Sequence, residues 1–459
     1  MKLNHHVGRA VKKEFGDWQL WWSRAVVVGA ASVAGLTVVA FSWLSDHAVN
    51  LFFQLYERFW WAPLIWTPLC AAAILAVTLR YVPGAGGSGI PQVMAALDPA
   101  VDPGRRGLFV SLRLSAAKIG LTGAGMLAGL SLGREGPCVQ IAAGVMLAAR
   151  RFLPKRTSVT AHGLLVAGGA AGIAAAFNTP LAGVMFAIEE LSRNPEERNS
   201  GLLMAAIVLS GVIAVSIGGN ATYFGIIHAG QIGLALLLPG LMVALGSGLA
   251  GGLFSRLLIA SLGDQTRDAP SRLRHAHPVL FAALCGLAVA GLGILTSGAI
   301  FGSGYVNTRD MLAGTESTPA VYVLFKFVAT WLTAWSGVPA GIFAPALAIG
   351  AALGNDISQL TAYPHAPELI ALGMVGFLAA ATQAPLTAFI IVMEMVDGHA
   401  MVLSLMACAL VAASIARLLS APLYPTLAKL QLQRLGSVDA HVPATSPQAA
   451  PTDNRSSSP

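Results

Sequence analysis

Apolar runs of about 20 residues, each enough to cross a hydrocarbon core, follow one another along almost the whole chain. In lipid the backbone can be satisfied only by helices or by a closed barrel. The runs lack the period-two alternation of barrel strands, so the chain reads as an all-α polytopic membrane protein. Composition agrees, since 55% of the 459 residues are hydrophobic and only 11% are charged, against about 25% in a typical soluble domain. The formal charge of +7 would suit nucleic acid. Most basic residues, however, fall in short segments between apolar runs, the positive-inside pattern. The expected partner is therefore the lipid bilayer and not nucleic acid. Cys70, Cys138, Cys285 and Cys408 lie in apolar stretches without metal-ligand spacing, so no metal is expected. The first apolar run is too long, and lacks the cleavage site, to be a removable signal peptide.

Four segments are assigned in order. Residues 1–24 combine Lys2, Arg9, Lys12, Lys13 and Arg24 with Trp18, Trp21 and Trp22, and are expected at the cytoplasmic interface. Residues 25–230 form a first membrane repeat and 231–435 a second. Residues 436–459, rich in Ser, Pro, Ala and Thr, are expected to be disordered. Uninterrupted spans are expected at about Ala25–Leu44, Leu112–Leu132, Leu202–Gly218, Val279–Leu295, Ala320–Trp335 and Met401–Leu419. A second span returns from Trp60, Trp61 and Trp66 to about Leu79.

Three clusters of Gly and Pro break this pattern: Pro83–Pro91, Gly133-Arg134-Glu135-Gly136-Pro137 and Gly337–Pro345. Irregular backbone at membrane depth is tolerated only inside protein or beside a watery cavity. A helix starting at Pro137 would aim free N–H groups and a positive dipole end at whatever lies before it, which binds anions without a full charge. Glu135 stands at that mouth. A first-turn acid can simply complement its helix dipole, but an ionisable group at membrane depth is by default a functional candidate. The two halves also echo each other. Gly133-x-x-x-Pro137 answers Gly341-x-x-x-Pro345, and Asn178-Thr179-Pro180-Leu181-Ala182 answers Gln383-Ala384-Pro385-Leu386-Thr387. Each of the latter pair continues apolar to an acid, Glu189 or Glu394. Paired interruptions of this kind point to a midplane site between repeats.

Gly87-Ser88-Gly89-Ile90-Pro91, Gly133-Arg134-Glu135-Gly136-Pro137 and Gly341-Ile342-Phe343-Ala344-Pro345, with Pro422-Leu423-Tyr424 late in the chain, make it resemble the CLC family of chloride channels and chloride/proton antiporters. The likeness runs from about residue 20 to residue 430. It implies a CLC-type inverted repeat of tilted and broken transmembrane helices, a homodimer, and an ion pathway within each subunit. It further implies that chloride is held by the hydroxyls of Ser88 and Tyr424 and the backbone N–H groups of Ile342 and Phe343. Glu135 corresponds to the gating glutamate, whose protonation should let it swing aside and admit chloride. Glu190 corresponds to the internal proton-transfer glutamate. Periodicity alone leaves Glu189 as the alternative carrier, since neighbours face different sides. A serine at position 88 goes with chloride in the family.

The expected function is thus chloride/proton exchange in a bacterial inner membrane, with both termini cytoplasmic and no cofactor beyond the transported chloride. The alternative is a chloride channel gated by Glu135 without proton coupling. An intramembrane enzyme finds no support, because no Ser/His, HExxH or paired-Asp constellation is present. Two departures from antiporter relatives stand out. Gln92, Val93 and Met94 replace the acids common after the first signature, and Gln383 stands where a basic residue is common.

Overall fold

The computed structural model describes residues 18–155, 157–192, 201–219, 223–225, 227, 233–263, 268–315 and 319–440. The basic stretch 1–17, Arg156, the polar segment 193–200, Arg267 and the tail from 441 lie outside the described residues.

The first half runs α1 (Trp18–Arg58), α2 (Pro63–Tyr81), α3 (Ile90–Leu97), α4 (Leu112–Leu127), α5 (Glu135–Ala148), α6 (Ala161–Phe177), α7 (Pro180–Phe186) and α8 (Gly201–Gly218). The second half runs α9 (Leu237–Leu262), α10 (Ala269–Ala276), α11 (Pro278–Leu295), α12 (Tyr305–Ala313), α13 (Val321–Trp335), α14 (Phe343–Thr361), α15 (Ala366–Thr382), α16 (Pro385–Met395), α17 (Val402–Leu419) and α18 (Leu423–Ala440). No strand occurs among the described residues; the one ladder contact is an isolated bridge.

Among the described residues, five helical stretches are long and apolar enough to cross a membrane. On α9, Leu241, Leu245, Leu249 and Leu253 form an exposed apolar stripe, while Val243, Ser247, Gly251, Phe254 and Leu258 on the other side are buried. An outward row of leucine is what lipid tails accept at no cost, so the polar and small residues turn inward.

Three boundaries differ from the sequence expectation. The first span begins at Trp18, inside the segment assigned to the interface, and runs to Arg58. At about 1.5 Å per residue it is ~62 Å long, so it must tilt steeply or project from a core of about 30 Å. The span expected to reach Leu132 stops at Leu127. Gly129 turns left-handed there with φ 75°, with the Phe52 ring packed where a side chain would stand. Finally, α18 extends to Ala440, into the stretch assigned to the tail.

The internal repeat is visible in backbone detail. Asn178 ends α6 and Gln383 ends α15, each left-handed, with φ 60° and 61°. Two residues later Pro180 and Pro385 open α7 and α16. In both halves a helix pair packs through small residues. A Cβ on Gly168 of α6 would stand 2.7 Å from the Ala143 Cα of α5. The equivalent pair, α14 and α15, meets at Gly350, Gly354 and Gly373. Such residues let backbones approach where lipid offers no hydrophobic drive for association.

Candidate functional site

The two repeats touch at their breaks. Gly133 N–H donates to Gly341 O at 2.8 Å and Gly341 N–H returns the bond to Gly133 O at 3.1 Å. This bridge lies just before α5 and α14, and so brings the starts of both helices to one place. Larger residues do not fit. A Cβ on Gly341 would stand 2.7 Å from Gly133 O and 2.9 Å from Pro137 Cδ, and one on Gly133 would strike the Glu135 carboxylate.

Ser88 reaches this place on a clamped loop. Gly87 and Gly89 are left-handed, with φ 72° and 109°, a geometry that only glycine adopts freely. The ammonium of fully buried Lys118 on α4 donates to Ala85 O (2.8 Å) and Gly87 O (2.6 Å). Gln92 closes the loop from the other side. Its Oε1 accepts from Gly89 N–H at 2.9 Å, and its Nε2 donates to Gly86 O. Gln140 on α5 adds a bond to Gly84 O at 2.9 Å. The Ser88 hydroxyl thereby lies directly against Gly136, in the first turn of α5.

Tyr424, the second residue of α18, comes in from the opposite end of the chain. It is fully buried and stacks on Phe343 with centroids 6.0 Å apart and planes at 10°. Its hydroxyl neighbours Ser88 and lies within electrostatic reach of Glu135 and Glu190. Neither the Ser88 nor the Tyr424 hydroxyl has a protein hydrogen-bond partner of normal geometry. Two buried orphan hydroxyls side by side are costly, at about 1–3 kcal/mol each, unless a ligand accepts from them. Ile342 and Phe343, at the start of α14, are buried against the same place.

Glu135 is fully buried. Its Oε2 accepts from Ala344 N–H in the first turn of α14 at 3.4 Å. The carboxylate thus leans on the helix of the other repeat instead of merely complementing its own dipole. Next to it, Arg134 reaches away from the centre. It donates to Ser42 O at 3.0 Å, pairs with Asp46 at 2.5 Å, and touches the Tyr223 hydroxyl at 3.4 Å.

The structure separates the two adjacent acids. Glu189 Oε1 and Oε2 accept from Leu386 N–H (3.1 Å) and Thr387 N–H (2.6 Å) at the start of α16. Glu394 mirrors it, accepting from Leu181 N–H (3.2 Å) and Ala182 N–H (2.8 Å) at the start of α7. Residues Ala187–Leu191 form a π-turn. Glu190, next in the chain, is buried, and its charge reaches Tyr424.

Ser88, Glu135, Ile342, Phe343 and Tyr424 are therefore brought together, with Glu190 near Tyr424. Sequence reasoning missed Lys118 and Gln140, and named Gln92, Glu189 and Glu394 without their supporting roles. A lysine in the middle of a largely apolar helix was a readable signal for the first. Gln92, a departure from antiporter relatives, holds the Ser88 loop, and Gln383 donates to Ser420 O at 2.8 Å.

Residues 70–417 match the family described as voltage gated chloride channel. The chain is 32% identical over 427 residues to the H(+)/Cl(-) exchange transporter ClcA of Salmonella paratyphi A, covering 88% of this chain and 87% of that one. Its identity to the ClcA of Klebsiella pneumoniae is 32% over 461 residues, covering 94% and 92%. Among solved structures, a slow cyanobacterial Cl-/H+ antiporter superposes with TM-score 0.77 at 23% identity, covering 90% of this chain and 98% of that one. A CLC-type fluoride/proton antiporter superposes with TM-score 0.69 at 21% identity, covering 88% and 96%. Both solved structures share the fold of broken, inverted helices laid out above. On its signature stretches, its fold and this kinship, the chain belongs to the CLC, or voltage gated chloride channel, family.

Proposed function

We propose that this multi-pass membrane protein exchanges chloride for protons across a bacterial inner membrane. The supporting observation is one arrangement: a carboxylate on the N–H of α14 beside two buried hydroxyls that lack protein partners. Ionised Glu135 and chloride want the same donors. Protonation cancels the attraction of Glu135 for those N–H groups and frees it to leave, and chloride takes its place between Ser88, Tyr424, Ile342 and Phe343. Neutral dipoles replace hydration yet release the ion, as conduction requires. Glu190 carries protons from the opposite side towards Tyr424 and Glu135. The Arg134–Asp46 side is taken as the outside, and the side carrying Arg150 and Arg151 as the cytoplasm, with both termini there. The exposed apolar faces of α7, α8, α16 and α17 (Leu181, Val208, Val212, Leu386, Leu410) suit a second copy of the chain, so the working unit is a homodimer. No cofactor takes part.

Purified protein in liposomes tests this. A chloride gradient alone should drive protons uphill, and Glu135→Gln should abolish proton movement while chloride still flows. Chloride flux with no proton movement in the unaltered protein would identify a channel and refute the exchange reading.

A further inference from the structure

The loop that presents Ser88 has a second copy in the chain. Gly302-Ser303-Gly304 repeats Gly87-Ser88-Gly89, with left-handed glycines at the same two places, φ 65° and 83°. Each loop leads into a short helix, α3 in one half and α12 in the other. Each is clamped by a fully buried lysine from the next helix. Lys326 on α13 donates to Ile300 O (2.9 Å) and Gly302 O (2.8 Å), the same two positions in the loop that Lys118 holds in the first half.

A clamp accounts for the lysine but not for Tyr322, one turn before it on α13. Tyr322 is only 2% exposed, and its hydroxyl has no hydrogen-bond partner. That hydroxyl lies 3.1 Å from where a Cβ on Gly304, the N-cap of α12, would stand, and Lys326 Cε is 3.2 Å from the same point. Three of the loop carbonyls are already engaged. Lys326 takes those of Ile300 and Gly302, and Thr308 takes that of Gly304 through its N–H (3.0 Å) and hydroxyl (2.9 Å). Ser303 Oγ accepts from Tyr305 N–H at 3.3 Å, which leaves its own proton to give. The neighbourhood thus offers donors and positive potential: a phenol, a serine hydroxyl, an ammonium and a helix N-terminus.

We propose that Ser303, Tyr322, Lys326 and the start of α12 form a second site for a small monovalent anion. The site pauses chloride on the outer side before it reaches the place guarded by Glu135. One layer of side chains joins the two. Tyr305, first residue of α12, donates its hydroxyl to Tyr223 O at 2.9 Å, and Tyr223 meets Arg134, the neighbour of Glu135, at 3.4 Å. The pausing role rests on the transport reading; anion binding does not.

Bromide is the probe, located by its anomalous signal in crystals of the full-length protein. Unaltered protein should show bromide beside Tyr322 Oη as well as between Ser88 and Tyr424. Tyr322→Phe should abolish only the former, and Ser88→Ala should weaken only the latter. Water beside Tyr322 in place of bromide, or an unchanged peak in Tyr322→Phe, overturns the outer site. Loss of the Ser88–Tyr424 peak in the unaltered protein would instead count against the proposed function. In liposomes, Tyr322→Phe should raise the half-saturating chloride concentration at the outer face about fivefold, the effect of losing one neutral hydrogen bond, and leave that at the inner face unchanged. Equal values for variant and parent at the outer face overturn the pausing role.

Discussion

Glu189 and Glu394 each hold the start of a helix in the opposite repeat, and this crossing yields a directional prediction. In Glu189→Gln the amide carbonyl can serve only one of the two N–H groups. It should keep the shorter bond, to Thr387, and turn its NH2 towards Leu386 N–H. The orphaned donor costs about 1–3 kcal/mol. Loss of charge at a helix N-terminus removes a further 0.3–1 kcal/mol or so. Leu386 is partly exposed, but on a face turned to lipid or a second subunit, where no water repairs the loss. About 1.3–4 kcal/mol in all corresponds to roughly 10- to 900-fold faster amide exchange where opening is local. The same arithmetic holds for Glu394→Gln, where Ala182 N–H keeps its bond and Leu181 N–H is orphaned. Hydrogen–deuterium exchange read on peptides separates the cases. Glu189→Gln should loosen the first turn of α16, some 200 residues away in sequence, and Glu394→Gln that of α7. Faster exchange confined to the helix carrying the substitution would refute the reasoning, as would no change in either.

Three further outcomes follow from the central site. Chloride flux should fall as pH rises, because ionised Glu135 takes Ala344 N–H and excludes the anion; in Glu135→Gln the flux–pH curve should be flat. Lys118→Met strips Ala85 O of its donor, at about 1–3 kcal/mol, and leaves Gly87 O only the bond from Ala340 N–H at 3.3 Å. Bromide affinity between Ser88 and Tyr424, read by calorimetry, should drop at least tenfold, or the protein should lose thermal stability in detergent. Gly341→Ala drives a methyl group into Gly133 O and Pro137, parting the two repeats. It should reduce the yield of folded protein on size-exclusion chromatography far more than Gly291→Ala, whose surroundings are open.

What the sequence revealed, and what it hid, divides along physical lines. Spacing of apolar runs and the places where Gly and Pro interrupt them are local properties, so the breaks at 83–91, 133–137 and 337–345 could be read directly. The repeat was half legible. Asn178 and Gln383 announced themselves through the prolines that follow, because a left-handed residue and a helix restart require particular neighbours. The Gly-Ser-Gly pair was equally visible as letters, but the residues after it differ, Ile90-Pro91 against Tyr305-Val306. Only the shared glycine conformations and the matching lysine clamps show that the loops are equivalent. Glu189 and Glu190 were indistinguishable in sequence. Their division of labour depends on a π-turn, and an extra residue in a turn is set by the partner that rewards it, here the start of α16.

That last point bears on why the anion place contains so little charge. Between Ser88 and Tyr424 the ion must be held weakly enough to leave, and neutral dipoles meet that need. Yet unpaired helix starts and glycine loops are weak structures that need strong supports. The fold separates the two duties. Around the Ser88–Tyr424 place, Lys118 donates its ammonium protons to loop carbonyls, Arg134 gives its guanidinium to Asp46 and Ser42 O, and Glu189 and Glu394 give their carboxylates to helix starts. Each charge that fixes the geometry is saturated by the backbone or by a counter-charge. The groups left to meet the ion are a serine, a tyrosine and amide dipoles. Glu135 alone combines a full charge with freedom to compete for those dipoles, and for that reason its protonation, rather than that of any neighbouring acid, decides whether the anion is held.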